Sequence, residues 1–138
     1  ASHYVHAGMI GLDGEKMSKS KGNLVFVSKL LASGVDPFAI RWALMRDHYR
    51  NDRIWTDARL VQAMQEIANL NQVMNSPVVA PTDALSTTII ESLADDLDTP
   101  TVVEAINQWV EECLNGKAGG DHEKISKLLE NLLGFSAK

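Results

Sequence analysis

The sequence predicts a mainly α protein, in which a short strand and an irregular loop lead into an antiparallel bundle of about four longer helices. Three observations carry this. Apolar residues recur at helical spacing through most of the chain after residue 36. Asp36-Pro37 and Thr99-Pro100 place a capping residue directly before a proline, the favoured way to open a helix. Before residue 28 no helical period is found, and glycines stand at 8, 11 and 14.

Taken in order, residues 4–11 read as a short strand with Val5, Met9 and Ile10, and Asp13-Gly14 is a tight-turn signal. An irregular loop then runs from Glu15 to Asn23, and Leu24-Val25-Phe26-Val27 lands it back on a core. Ser28 is expected to cap a short helix that Gly34 ends. The helix from Pro37 to about His48 carries Phe38, Trp42 and Met45 on one side, with Ile40 and Leu44 beside them. Thr56 or Asp57 opens the next, where Leu60, Met64, Ile67, Asn71 and Met74 recur. Ser76-Pro77 and Pro81 mark a linker. Thr82 starts a helix with Leu85, Ile89 and Leu93, and Thr99 starts one with Val102, Ile106, Trp109, Val110 and Cys113. Gly116 ends it, and Gly119-Gly120 is a flexible connection. Asp121 caps a last helix with Ile125, Leu128, Leu129, Leu132 and Leu133 on one face, closed by Gly134. Residues 1–35 are expected to be the end of one domain and residues 36–138 a helical bundle domain.

The 138 residues, 45% hydrophobic and 22% charged, fit an ordinary globular protein and not a disordered chain. No apolar run is long enough for a membrane span, and no signal-peptide pattern opens the sequence. Cys113 is the single cysteine, so neither an internal disulfide nor a cysteine zinc knuckle can form; the expected compartment is the cytoplasm. Net charge is −5, a poor start for a nucleic-acid binder, but it is unevenly spread. Residues 1–59 hold nine Lys/Arg against six Asp/Glu, a net of +3, whereas residues 60–138 hold four against twelve, a net of −8.

Lys16-Met17-Ser18-Lys19-Ser20-Lys21-Gly22-Asn23 is the segment that surface filling explains least. Three ammonium groups, two hydroxyls and a glycine in one loop can wrap a polyphosphate, and Met17 can pin that loop to the body of the protein. On composition alone a solvated lysine loop explains it equally well. The order of the residues shifts that balance. Lys16-Met17-Ser18-Lys19-Ser20 is the full KMSKS signature, so the segment resembles the class I aminoacyl-tRNA synthetases. His6-Ala7-Gly8-Met9, Asp13-Gly14-Glu15, Lys21-Gly22-Asn23, His48-Tyr49-Arg50 and Asp95-Asp96-Leu97-Asp98-Thr99-Pro100 are similar to the cysteinyl branch. Within that branch, Leu24-Val25-Phe26-Val27-Ser28-Lys29-Leu30 and Asp52-Arg53-Ile54-Trp55-Thr56 resemble the cysteine ligases of mycothiol biosynthesis more than the synthetases.

The resemblance implies a loop that closes over ATP and stabilises departing pyrophosphate while cysteine is adenylated. Lys19 would be the principal phosphate-contacting lysine with Lys16 in support, and both would be catalytic. Ile10, through its backbone at the adenine, and Lys16, Met17, Ser18, Lys19 and Ser20 would bind ATP. Such a loop is expected to be mobile when empty. The partners implied are ATP, cysteine and glucosaminyl-inositol, with tRNA the less favoured acceptor because residues 60–138 are acidic. The resemblance also implies a catalytic zinc whose cysteine and histidine ligands lie upstream, and a HIGH-type nucleotide motif. This chain is therefore expected to be a C-terminal part, inactive alone. A cysteinyl-tRNA synthetase fragment and a non-catalytic helical interaction domain remain as alternatives.

Other residues read more plainly. His3 and His6 lack the cysteine or carboxylate company of a metal site, and His6 is expected to pack on the strand. Cys113, Trp42 and Trp109 sit at core spacing. Trp55 either seals the joint between loop and helices or lies on the surface. Asp95, Asp96 and Asp98 lack the glycine and closing glutamate of a calcium loop and fit helix capping better. Arg41, Arg46, Arg50 and Arg53 could form a basic face, with Asp47, Asp52 and Asp57 absorbing much of it.

Overall fold

The computed structural model describes residues 2–12 and 14–138, so Asp13 of the predicted turn and Ala1 lie outside the described residues. The elements run β1 (Ile10–Leu12), β2 (Glu15–Lys16), α1 (Val27–Ala32), α2 (Pro37–Met45), β3 (Arg53–Trp55), α3 (Asp57–Met74), α4 (Asp83–Ala94), α5 (Thr99–Leu114) and α6 (His122–Leu133). The fold is mainly α with a small sheet, as the periodicity predicts. The chain divides into two compact units, Ala1–Met64 and Gln65–Lys138.

In the first unit β1 is the middle strand, antiparallel to β2 (Gly11 opposite Lys16) and parallel to β3 (Ile10 opposite Arg53). The predicted strand over residues 4–11 shrinks to Ile10–Leu12. Its earlier part is held by single contacts instead of a ladder: Gly8 N–H donates to the Tyr49 carbonyl at 2.7 Å and Met9 N–H to Asp52 Oδ1 at 2.7 Å. At Gly8 a Cβ would stand 2.1 Å from the Asn51 carbonyl oxygen, so only glycine fits that approach. His6 is exposed, against the expectation that it packs on a strand, because no strand forms there. Strand β3 was not predicted; three residues among charged neighbours show no usable alternation.

Helix α1 begins at Val27 with Phe26 at its N-cap, two residues earlier than a Ser28 cap requires; no side chain caps it. Asp36 caps α2 as predicted, its Oδ1 accepting the Phe38 N–H at 2.7 Å ahead of Pro37 at the first turn. Ala39, Ile40, Trp42 and Ala43 are its buried side. Thr56 Oγ1 accepts the Arg59 N–H at 3.2 Å and so starts α3. Along α3 the buried stripe is Leu60, Ala63, Ile67, Leu70, Val73 and Met74; Met64, assigned to that stripe from spacing, is 41% exposed, because alanine 63 and leucine 70 lie closer to its centre.

In the second unit α4 and α5 pack on one another. The N-cap of α5 is Asp98, not Thr99: its carboxylate accepts the Thr101 N–H at 3.3 Å and the Thr101 hydroxyl at 2.6 Å. Val102, Ile106, Trp109 and Val110 are buried as predicted, and Val103 joins them. Cys113 is half-buried: its Sγ accepts the Ala80 N–H at 3.2 Å while Trp109 Nε1 donates to the Ala80 carbonyl at 3.1 Å, so α5 grips both polar groups of one linker residue. Burial pushes the Cys113 thiol above its ordinary value. Asp121 caps α6 by accepting the Lys124 N–H at 2.9 Å, and Gly134 ends it at φ 72°. Ile125, Leu129 and Leu133 are buried, whereas Leu132 is 48% exposed.

Candidate functional site

The Lys16–Asn23 loop leaves the sheet at β2 and returns as the lead-in to α1. Its first lysine is therefore fixed by strand pairing, with Lys16 opposite Gly11. Beyond it the loop is closed by its own hydrogen bonds. Ser18 N–H donates to Asn23 Oδ1 at 2.8 Å, and Asn23 Nδ2 donates to the Lys16 carbonyl at 3.3 Å. Gly22 N–H donates to the Lys19 carbonyl at 3.2 Å, closing a turn, and the positive φ of 67° at Gly22 redirects the chain just after it. The Ser18 and Ser20 hydroxyl oxygens lie 3.2 Å apart, and Ser18 Oγ accepts the Lys21 N–H at 3.3 Å.

The three lysines differ in what holds them. Lys21 Nζ is paired with Glu15 Oε2 at 2.8 Å. Lys16 and Lys19 are exposed and have no carboxylate partner among the described residues. The backbone N–H groups of Lys19 and Ser20 likewise have no acceptor among the described residues, whereas those of Ser18, Lys21 and Gly22 are used inside the loop. Two ammonium groups and two adjacent free amides therefore stand on one short stretch, the composition of an anion site.

Met17 faces inward. With Ile10, Val25, Val27, Leu30, Ile40, Leu44 and Trp55 it lines an apolar cavity of about 230 Å³ beneath the loop. The expected site residues Ile10, Lys16, Met17, Ser18, Lys19 and Ser20 thus lie in one compact unit, with Ile10 on the central strand and the rest on the loop that follows it. Trp55 is only 6% exposed and sits on the wall of the cavity that Met17 lines, which places it between loop and helix α2. Sequence reading assigned no role to Asn23, although the pattern of a short amide residue just after a glycine at a loop end was there to be used.

The arginines behind the sheet are committed elsewhere. Arg59 forms a two-pronged pair with Asp47, Nη1 with Oδ2 and Nη2 with Oδ1, the latter at 3.2 Å. The Arg59 hydrogen bond holds the Asp47 carboxyl below its ordinary value and raises the Arg59 guanidinium in turn. Arg53 Nη2 donates to the carbonyls of Gly8 and Tyr49 at 3.3 and 3.4 Å, and the Arg50 guanidinium lies 5.1 Å from the centre of the Tyr49 ring. No three His, Cys, Asp or Glu side chains among the described residues are grouped to hold a metal ion, so the residues present do not fit a zinc site. Among the described residues no helix is long and apolar enough to cross a membrane.

Comparison with known proteins bears on this loop directly. Residues 1–65 match the family model described as the tRNA synthetases class I (C) catalytic domain. The chain is 55% identical over 119 residues to the L-cysteine:1D-myo-inositol 2-amino-2-deoxy-alpha-D-glucopyranoside ligase of Saccharomonospora viridis, a match covering 86% of this chain and 29% of that protein. The ligase of the same name from Nakamurella multipartita is 54% identical over 119 residues, again 86% of this chain and 29% of the relative. That of Streptomyces griseus subsp. griseus is 46% identical over 140 residues, 99% of this chain and 34% of the relative. The chain spans about a third of the length of the curated relatives it matches. Its signature loop, the domain model matched over residues 1–65 and these relatives make the chain similar to the class I cysteinyl-tRNA synthetases and, within that group, to the mycothiol cysteine ligases.

Proposed function

We propose that this chain is part of an ATP-dependent, AMP-forming ligase of the cytoplasm that activates cysteine as cysteinyl-adenylate and transfers the cysteinyl group to the amine of glucosaminyl-inositol. The observation that carries the reading is the division of labour in the loop: the ammonium groups of Lys16 and Lys19 and the amides of Lys19 and Ser20 have no partner among the described residues, while the amides of Ser18, Lys21 and Gly22 and the Lys21 ammonium are hydrogen-bonded or ion-paired within it. In adenylation a carboxylate oxygen of cysteine attacks the α-phosphorus of ATP and pyrophosphate departs with the bond electrons. Negative charge therefore grows on the leaving phosphates. Cationic and N–H donors already in place favour that state over bound ATP, which is how a preformed site lowers a barrier. The amine of the acceptor then attacks the adenylate carbonyl and AMP leaves. The choice of acceptor rests on the name shared by the relatives.

Lys19→Ala in the full-length protein is the test. Cysteine-dependent exchange of pyrophosphate into ATP is expected to fall about a hundredfold or more, by the scale of lost transition-state donors; unchanged exchange refutes the reading. The isolated 138-residue chain is expected to show no exchange. A second reading, transfer to tRNA, is favoured by the description of the matched domain model. Supplying the full-length enzyme with ATP, cysteine and either tRNA or glucosaminyl-inositol, and finding which becomes cysteinylated, decides between them.

A further inference from the structure

Asn23 lies outside the five-residue signature, yet its carboxamide touches both ends of it. One end of that amide accepts from the Ser18 N–H at 2.8 Å, and the other donates to the Lys16 carbonyl at 3.3 Å. We propose that Asn23 is a positioning residue of the phosphate loop, acting by deciding which backbone groups the loop offers to an anion. This rests on the reading that the loop grips the phosphates of ATP.

Two consequences of the geometry support the role. The Lys16 carbonyl is a partial negative charge beside a lysine meant for phosphate, and Asn23 Nδ2 covers it. The Ser18 amide is a donor that would otherwise compete for the anion from a different point of the loop. With it consumed, Lys19 and Ser20 offer an adjacent pair of amides with no acceptor among the described residues, next to the Lys19 ammonium. Gly22, at φ 67°, turns the chain so that residue 23 comes back alongside residues 16 and 18. Only a short carboxamide both accepts and donates at that reach: aspartate lacks the donor, alanine lacks both groups, and glutamine is one methylene too long. Asn23 contacts the loop backbone and no reacting atom, so its effect is preorganisation.

The experiment has two arms. In the 138-residue chain, amide hydrogen exchange at single-residue resolution is expected to show Ser18 protected relative to Lys19 and Ser20, with the protection lost in Asn23→Ala. In the full-length protein, Asn23→Ala is expected to lower kcat for cysteine-dependent pyrophosphate exchange about tenfold to fiftyfold and to leave the KM for ATP within about threefold, since a preorganising group acts on the transition state. Asn23→Asp, which keeps the acceptor, is expected to retain Ser18 protection while still losing rate. Equal exchange at Ser18, Lys19 and Ser20 in the unsubstituted chain overturns the proposal without recourse to any variant. So does an Asn23→Ala enzyme with unchanged kcat when Lys19→Ala is inactive. If Lys19→Ala is itself fully active, the phosphate-loop reading fails, and the positioning role fails with it, whereas the hydrogen-exchange arm still reports whether the Asn23 contacts exist.

Discussion

Asp47 and Arg59 show how a single residue pair in the unit carrying the loop responds to its surroundings. The pair is about a third exposed on each side, so its strength is limited by solvent and salt, and removing it is expected to cost about 1 kcal/mol. Hydrogen bonding to Arg59 depresses the Asp47 carboxyl, with weaker help from Arg53 and Arg46. A carboxyl depressed in the folded state contributes stability above its unfolded pKa, and that contribution is lost as pH falls through the folded value. Asp47→Asn is therefore expected to unfold at lower denaturant than the parent at pH 7, with the difference beginning to shrink below about pH 4, where the unfolded chain's carboxyl starts to take up its proton, and vanishing as the pH falls through the folded value. Urea titrations at pH 7 and pH 3.5 test this; a gap that stays constant over that range refutes it. The sequence places Asp47 among the arginines whose charge it absorbs, and Arg46 and Arg53 do act on it. Its hydrogen-bonded pair with Arg59 is not legible there, because no local pattern signals a contact between the end of one helix and the first turn of another.

At the scale of elements, legibility followed the strength of the local signal. The long helices were readable because apolar spacing, a capping acid and a terminating glycine agreed, as in α6, where Asp121, the Ile125–Leu129–Leu133 stripe and Gly134 all take their expected parts. Strands of two or three residues were not, since β2 and β3 owe their existence to pairing with β1 and carry no period of their own. The candidate loop was legible to the residue in composition, and its fastening was not, because the Asn23 contacts depend on how the chain turns at Gly22. The start of α5 offers a direct check on a cap that sequence misplaced. Asp98→Ala removes both acceptors for Thr101 and is expected to cost about 1 kcal/mol. Thr99→Ala, at the first helical position, is expected to change stability by less than about 0.5 kcal/mol. Equal losses for the two variants would return the cap to Thr99. Ile40 and Leu44 of α2 share the walls of the loop's cavity, and compactness divides the chain inside α3.

For the whole molecule, the feature that composition averages away is the opposition of charge between the two parts of the chain. Residues 1–59 carry +3 and hold the loop, whose Lys16 and Lys19 have no carboxylate partner among the described residues; residues 60–138 carry −8. Binding to RNA draws most of its affinity from releasing counterions as Lys and Arg neutralise phosphates, so it needs cations gathered on the surface that meets the strand. The later residues offer four, of which Lys117, Lys124 and Lys127 are paired with Glu112, Asp83 and Glu123. On the proposed reading, a polyphosphate as small as that of ATP asks for far less, and two ammonium groups and a pair of amides within one loop would face it. The chain is accordingly expected to bind bulk tRNA no more tightly than about 10⁻⁴ M at physiological salt, the weak end of non-specific association. Charge reversal supplies the internal control. Glu112→Lys with Glu123→Lys and Glu130→Lys turns residues 60–138 from −8 to −2 and is expected to strengthen tRNA retention at low salt, with a steeper salt dependence, while cysteine-dependent pyrophosphate exchange by the full-length enzyme stays unchanged. Tight, salt-sensitive tRNA binding by the unsubstituted chain would show that a local basic surface outweighs the acidic total, and would move the acceptor from the amino sugar to tRNA.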